Sequence, residues 1–103
     1  MSPRADFPTF AAFYPFYLGE HRNSTSRRLH VVGTGLALAA LTTGLLSRQR
    51  RYALAAPLLG YGFAWLGHYG FEKNRPATFR HPVYSLMGDF FLFFETVTGK
   101  RPW

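Results

Sequence analysis

Four histidines, His21, His30, His68 and His81, are the residues of this chain best suited to chemistry. Glu72 follows His68 by four positions, and on a helix that spacing sets both side chains on one face, about one turn apart. Imidazole suits iron, zinc, copper and nickel, and histidines joined by a carboxylate with open positions are the pattern of non-haem Fe(II) oxygenases. The chain has no cysteine, which removes disulfides, thiolate nucleophiles and zinc–thiolate sites, so a metal must be held through histidine and oxygen. No nucleophile elbow, phosphate loop or dinucleotide fingerprint occurs, and Gly33-Thr34-Gly35 is too short to count as one. Hydrolase and nucleotide-dependent reactions therefore lack residues to carry them.

The elements that must position the histidines are apolar runs bounded by charge. Leu29 to Ser47 carries no formal charge and is rich in Leu, Ala, Gly and Val, which fits a transmembrane helix. Tyr52 to Phe71 is a second run of that kind. Small residues recur four apart in both, Gly33 with Ala37 and Ala40 with Gly44 in the first, and Ala56, Gly60 and Ala64 in the second, a spacing that permits close helix contact in lipid. Only Arg48-Gln49-Arg50-Arg51 separates the runs, so they form an antiparallel hairpin, with Pro57 a candidate kink. His30 opens the first run and His68 closes the second, which puts both at one membrane face. In this hairpin all four histidines lie at one end of the protein.

The flanking segments are shorter. Phe7 to Leu18 is uncharged and aromatic-rich but too short to span, and reads as an interfacial or re-entrant segment broken by Pro8 and Pro15. Ser24, Thr25 or Ser26 caps a helix beginning near Arg27, and Asn23-Ser24-Thr25 also matches a glycosylation acceptor. Glu72 to His81 is a polar loop punctuated by Pro76 and Pro82. Val83 to Thr98 is a third apolar segment, tilted or partly interfacial, interrupted by Asp89 and Glu95. An acid in such a segment is costly without a partner, so Asp89 is either a functional group or half of an ion pair to Arg75 or Arg80. Tyr14, Tyr17, Tyr61 and Tyr69 read as interfacial packing residues. The expected fold is an all-α integral membrane helical bundle, with an antiparallel hairpin, a third short helix and an N-terminal interfacial helical segment in one membrane-embedded domain over residues 1–103.

Twelve Lys plus Arg against five Asp plus Glu give a net charge of +7. The basic residues sit in short clusters between apolar runs, as charges flank embedded segments, and form no stripe along one element, which argues against nucleic acid as a partner. Met1 to Asp6 lacks the apolar core and cleavage site of a signal peptide, leaving insertion to the internal runs. On this topology the histidine face carries more Lys plus Arg than the opposite face, to which Lys100 and Arg101 are assigned, and the positive-inside rule makes it cytoplasmic.

Several motifs in order carry a resemblance. Phe13-Tyr14, Tyr17 and His21 come first; Arg28-Leu29-His30 with Gly33-Thr34 follow; then Gly67-His68, Phe71-Glu72-Lys73-Asn74-Arg75-Pro76-Ala77, and Ser85-Leu86. In these the chain resembles the 2-hydroxy fatty acid dioxygenase family, small membrane proteins formerly a domain of unknown function whose fungal member is an α-oxidation enzyme. The match runs from about Phe13 to Glu95, and its block around His68 is the most specific part. The resemblance implies Fe(II) as cofactor and α-oxidation that shortens a 2-hydroxy fatty acid by one carbon with O2. It implies His21, His30 and His68 as metal ligands. Glu72, which matches the family's acid, is a fourth ligand or orients one from behind, and His81 falls outside the family's pattern. Arg75, or one of Arg27 and Arg28, is then a candidate to pair with the substrate carboxylate, and Glu72 and Arg75 are the candidate catalytic residues. The chain is more compact than the fungal type.

The implied partners are a 2-hydroxy fatty acid with O2, the lipid bilayer and further copies of the chain as a homo-oligomer. The implied location is a cytoplasmic membrane in a bacterium or the endoplasmic reticulum in a eukaryote. Two rival readings use the same residues: a haem-binding electron carrier with His30 and His68 as axial ligands, and a non-enzymatic membrane scaffold with the histidines as anchors.

Overall fold

The computed structural model describes residues 7–75 and 80–103. Pro76 and Ala77 of the sequence motif, and Met1 to Asp6, lie outside the described residues. Four α-helices run in order: α1, Phe10–Gly19; α2, Ser24–Ser47; α3, Arg50–Leu66; and α4, Pro82–Val97. A π-helical turn, Gly67–Glu72, continues α3.

α2 starts three residues earlier than the sequence suggests, at Ser24 and not near Arg27. Asn23, not Ser24, Thr25 or Ser26, is the cap: its side-chain oxygen accepts from the Ser26 N–H at 3.1 Å, and the helix begins at Ser24. Both answers follow from one rule, because a short polar side chain in extended backbone satisfies an otherwise orphaned N–H. At the other end Arg48 adopts the left-handed conformation (φ 57°) and its N–H reaches the Gly44 carbonyl. Gln49 then turns the chain into α3.

Close approach holds α2 against α3. A Cβ on Gly33 would fall 2.6 Å from Phe63 Cβ, and one on Gly44 would fall 2.5 Å from the Ala53 nitrogen. Pairing 33 with 63 and 44 with 53 makes the helices antiparallel, as the short turn requires. Gly33 and Gly44 of the α2 stripe admit Phe63 and Ala53 of α3, and Gly60 of the α3 stripe faces Ala37.

The second expected span, Tyr52 to Phe71, is divided in the structure. α3 ends at Leu66 and the π turn completes it, so α2 is the one helix among the described residues that is long and apolar enough by itself to cross a membrane. Near the hairpin turn large apolar side chains point outward: Leu45, Leu46, Leu54 and Leu58 are 67%, 82%, 70% and 76% exposed.

α1 and α4 close the histidine end. Pro15 does not break α1, which runs from the Thr9 cap through to Gly19. α1 packs on α4 through aromatic rings, Phe10 on Phe91 at 4.8 Å and Phe13 on Tyr84 at 5.4 Å, with Phe13 wholly buried. α4 does not carry the chain to the far end of the hairpin. The Trp103 carbonyl accepts from Arg28 Nε at 3.2 Å, and Arg101 pairs with Glu95 beside Tyr14, so the chain's last residues return to the start of α2. The assignment of Lys100 and Arg101 to the opposite face is thereby corrected. α4 is too short to reach that face, and its C-terminal end is tied to α1.

If the hairpin depends on backbone approach, Gly44→Val overpacks it. The expected loss is about 1–3 kcal/mol, read as a lowered midpoint for unfolding of the detergent-solubilised protein followed by circular dichroism.

Candidate metal centre

Three elements deliver one imidazole each. His21 lies just past α1, His30 on the second turn of α2, and His68 in the π turn, and all three are buried. Their potential ligand atoms lie within 4.8 Å of one another. Gly67 makes the approach possible: a Cβ there would meet Ser26 Oγ at 2.7 Å and His30 Cε1 at 3.3 Å.

The outer nitrogen of every ring faces an acceptor. His21 Nδ1 lies 2.6 Å from the Tyr17 carbonyl, and His30 Nδ1 lies 2.8 Å from the Ser26 carbonyl. His68 Nδ1 lies 2.7 Å from Asn74 Oδ1, and the amide cannot be turned round because its Nδ2 donates to the Glu20 carbonyl. Each Nδ1 must therefore carry the proton, which leaves each Nε2 with a bare lone pair.

Those lone pairs converge. His30 Nε2 is 2.9 Å from His21 Nε2 and 3.1 Å from His68 Nε2, with no hydrogen to share in either gap. A cation between the nitrogens turns repulsion into ligation. Burial, and then the imidazoles of His30 and His68, push His21 well below the ordinary histidine range, so its ring stays neutral and available to a metal.

The spacing also bears on which group fits. Donors each about 2.1 Å from a shared metal stand about 3.0–3.4 Å apart, and the 2.9 and 3.1 Å gaps at His30 are of that scale. Axial nitrogens on a haem iron would stand about 4 Å apart with the macrocycle between them. His30 and His68 leave no such gap, so the haem arrangement does not fit.

The remaining candidates are placed elsewhere. Glu72 Oε2 accepts from the Asn23 N–H at 2.9 Å, at the N-terminus of α2, and is not a member of the cluster. His81 is buried against Phe7, Phe13 and Phe16, with ring centroids 5.2, 5.4 and 6.2 Å away. Arg27 Nη1 donates to the His21 and Arg22 carbonyls at 3.3 and 2.9 Å, Arg28 turns to Trp103, and Arg75 is exposed beyond the π turn.

Residues that carry no signal as ligands in the sequence complete the site. Tyr17, read there as an interfacial packing residue, is buried: its ring stacks on His21 at 4.0 Å and its hydroxyl donates to Asp89 Oδ1 at 2.5 Å. Gly88 admits that ring to α4, since a Cβ would sit 2.7 Å from it. Tyr14 likewise donates to Glu95. Asn74, which holds His68, is visible in the sequence only as one polar residue among the charges of its motif.

A family model described as 2-hydroxy-palmitic acid dioxygenase Mpo1-like matches residues 7–101. No curated protein and no solved structure matches the chain.

Replacing any one of His21, His30 and His68 by alanine should abolish stoichiometric metal binding in elemental analysis, while His81→Ala should retain it. Asn74→Ala should weaken metal affinity by about 10–100-fold in a chelator competition, because the ring it orients is then free to turn.

Proposed function

The chain belongs to the Mpo1-like family, and we propose that it is a membrane-embedded, Fe(II)-dependent dioxygenase that shortens 2-hydroxy fatty acids by one carbon. The observation that carries this reading is the meeting of the bare Nε2 atoms of His30 with those of His21 and His68, at 2.9 and 3.1 Å. His21, His30 and His68 would hold the metal. Iron(II) there would supply the electron and O2 chemistry, and a chelation point for the hydroxyl and carboxylate of a 2-hydroxy acid. Three protein ligands would leave open positions for both.

The protein's own residues hold and shield this arrangement. The Tyr17 carbonyl, the Ser26 carbonyl and Asn74 keep the Nδ1 protons in place and fix the ring planes. Burial of all three imidazoles would keep bulk water from a metal held there. Arg75 would meet the substrate carboxylate, with Arg27, whose guanidinium donates to the His21 carbonyl, as the second candidate. Glu72 acts at one remove, by fixing the N-terminus of α2 through Asn23.

Membrane residence rests on α2 and on the outward leucines near the hairpin turn, an apolar surface that a water-exposed monomer rarely carries. The location would be a bacterial cytoplasmic membrane or the endoplasmic reticulum of a eukaryote, with the histidine end toward the cytoplasm.

The test begins with anaerobic purification in detergent and metal analysis. Iron-loaded protein incubated with 2-hydroxypalmitate and O2 should yield the acid one carbon shorter, detected by mass spectrometry, and zinc-loaded protein should not. Bound iron with no shortened acid would overturn the proposal.

A further inference from the structure

A groove of about 280 Å³ opens between α2, α3 and α4. From α2 it is lined by Thr34, Ala37, Leu38 and Leu41; from α3 by Ala56, Pro57, Gly60 and Tyr61. Leu86, Asp89 and Phe90 of α4 close the third side.

Its polarity is graded. Thr34 lies one turn beyond His30 on α2, and Tyr61 is the α3 liner nearest His68. Asp89 is joined through the Tyr17 hydroxyl to the ring stacked on His21. The polar liners thus gather at the histidine end, and Leu38, Leu41, Ala56 and Pro57 make the far end apolar. From His30 to Leu41 is eleven residues of helix, about 16 Å, close to the depth of one leaflet of a bilayer core about 30 Å thick.

We propose that this groove receives the acyl tail of the substrate, methyl end toward Leu41, Ala56 and Pro57, and that its far wall selects chain length. The proposal rests on the dioxygenase reading for its head group, which would sit at the histidines. The groove itself fixes the polarity of entry. No lining residue is cationic, so a carboxylate driven into it would lose its hydration and face Asp89, whereas an alkyl chain meets Leu, Ala, Pro and Phe. The small residues Ala37 and Gly60 give the tail its room, for a Cβ on Gly60 would only touch Ala37 Cβ at 3.6 Å.

Two measurements test this. The first is labelling of the unmodified protein by a 2-hydroxy fatty acid carrying a diazirine near its methyl end, with mapping of the cross-linked peptides. Labels should fall on Leu38–Leu41 and Ala56–Gly60 and be displaced by unlabelled 2-hydroxypalmitate. The second is the ratio of kcat/KM for 2-hydroxypalmitate to that for 2-hydroxyoctanoate. Gly60→Leu should lower this ratio at least about tenfold, the factor that about two buried methylenes carry, and Leu41→Ala should shift preference to longer chains. Iron content reports whether each variant has kept its fold. Displaceable labels in the groove without oxidation of any 2-hydroxy acid would uphold the tail site and remove the dioxygenase reading. Oxidation with an unchanged ratio in both variants and labels elsewhere would overturn the groove and leave the dioxygenase intact.

Discussion

Three lone pairs that face one another with no proton among them are the constraint around which this small protein is arranged. A histidine pair in a protein interior ordinarily resolves itself by tautomer, one ring donating to the other. Here that route is closed, because each Nδ1 is committed to an oxygen that cannot donate in return. Two of those oxygens are helical carbonyls four residues before the histidine, Tyr17 for His21 and Ser26 for His30. Backbone geometry therefore sets the protonation state, and the cluster is left needing a positive charge at its centre. Neither a scaffold nor a packed apolar core has use for that need, whereas a metal site does.

The π turn is how the chain meets this need without spoiling its other contacts. On a regular α-helix His68 and Glu72 would share a face, and the carboxylate would crowd the imidazoles. The wider turn shifts the register between them. His68 points into the cluster, and Glu72 swings to the Asn23 N–H, where its charge meets the positive end of α2. Lys73 then takes the left-handed conformation (φ 60°), and its N–H returns to the His68 carbonyl. Asn74 follows at once to grip the His68 ring. A single irregular segment so supplies a ligand, the residue that orients it and the clamp on its neighbouring helix, and π turns commonly mark such sites.

Much of this could be read from the chain itself, and the limits have physical causes. The hairpin, the small-residue contacts and the placement of His30 and His68 at one end follow from charge-bounded apolar runs and a short turn, all local information. Glu72 sits at the Asn23 N–H and outside the histidine cluster because the π turn widens its separation from His68, and a π turn leaves no mark in composition. Tyr17 with Asp89, and Tyr14 with Glu95, join residues 72 and 81 positions apart. No periodicity encodes such pairs; they depend on how α4 lies across α1. Pro15 fails to break α1 because that helix is held from outside by its aromatic contacts with α4. His21 as a ligand follows from the family resemblance, since the eight mostly polar residues before His30 do not by themselves fold it back on that ring.

The return of α4 changes the electrostatic picture more than any other feature. With Arg101 and Trp103 brought back beside Tyr14 and Arg28, the described basic residues at the hairpin-turn end are Arg48, Arg50 and Arg51, and the others gather at the histidine end. On the membrane reading this sharpens the positive-inside asymmetry toward the end that carries the histidine cluster. On the dioxygenase proposal the same charges would serve a second purpose. An anionic amphiphile in that leaflet would meet a cationic rim at headgroup depth and, below it, a groove whose single acidic liner is Asp89. Attraction at the rim and the cost of desolvating a carboxylate in the groove would act on opposite ends of one molecule. The field that orients the protein in its bilayer would thus also orient the substrate at the histidines.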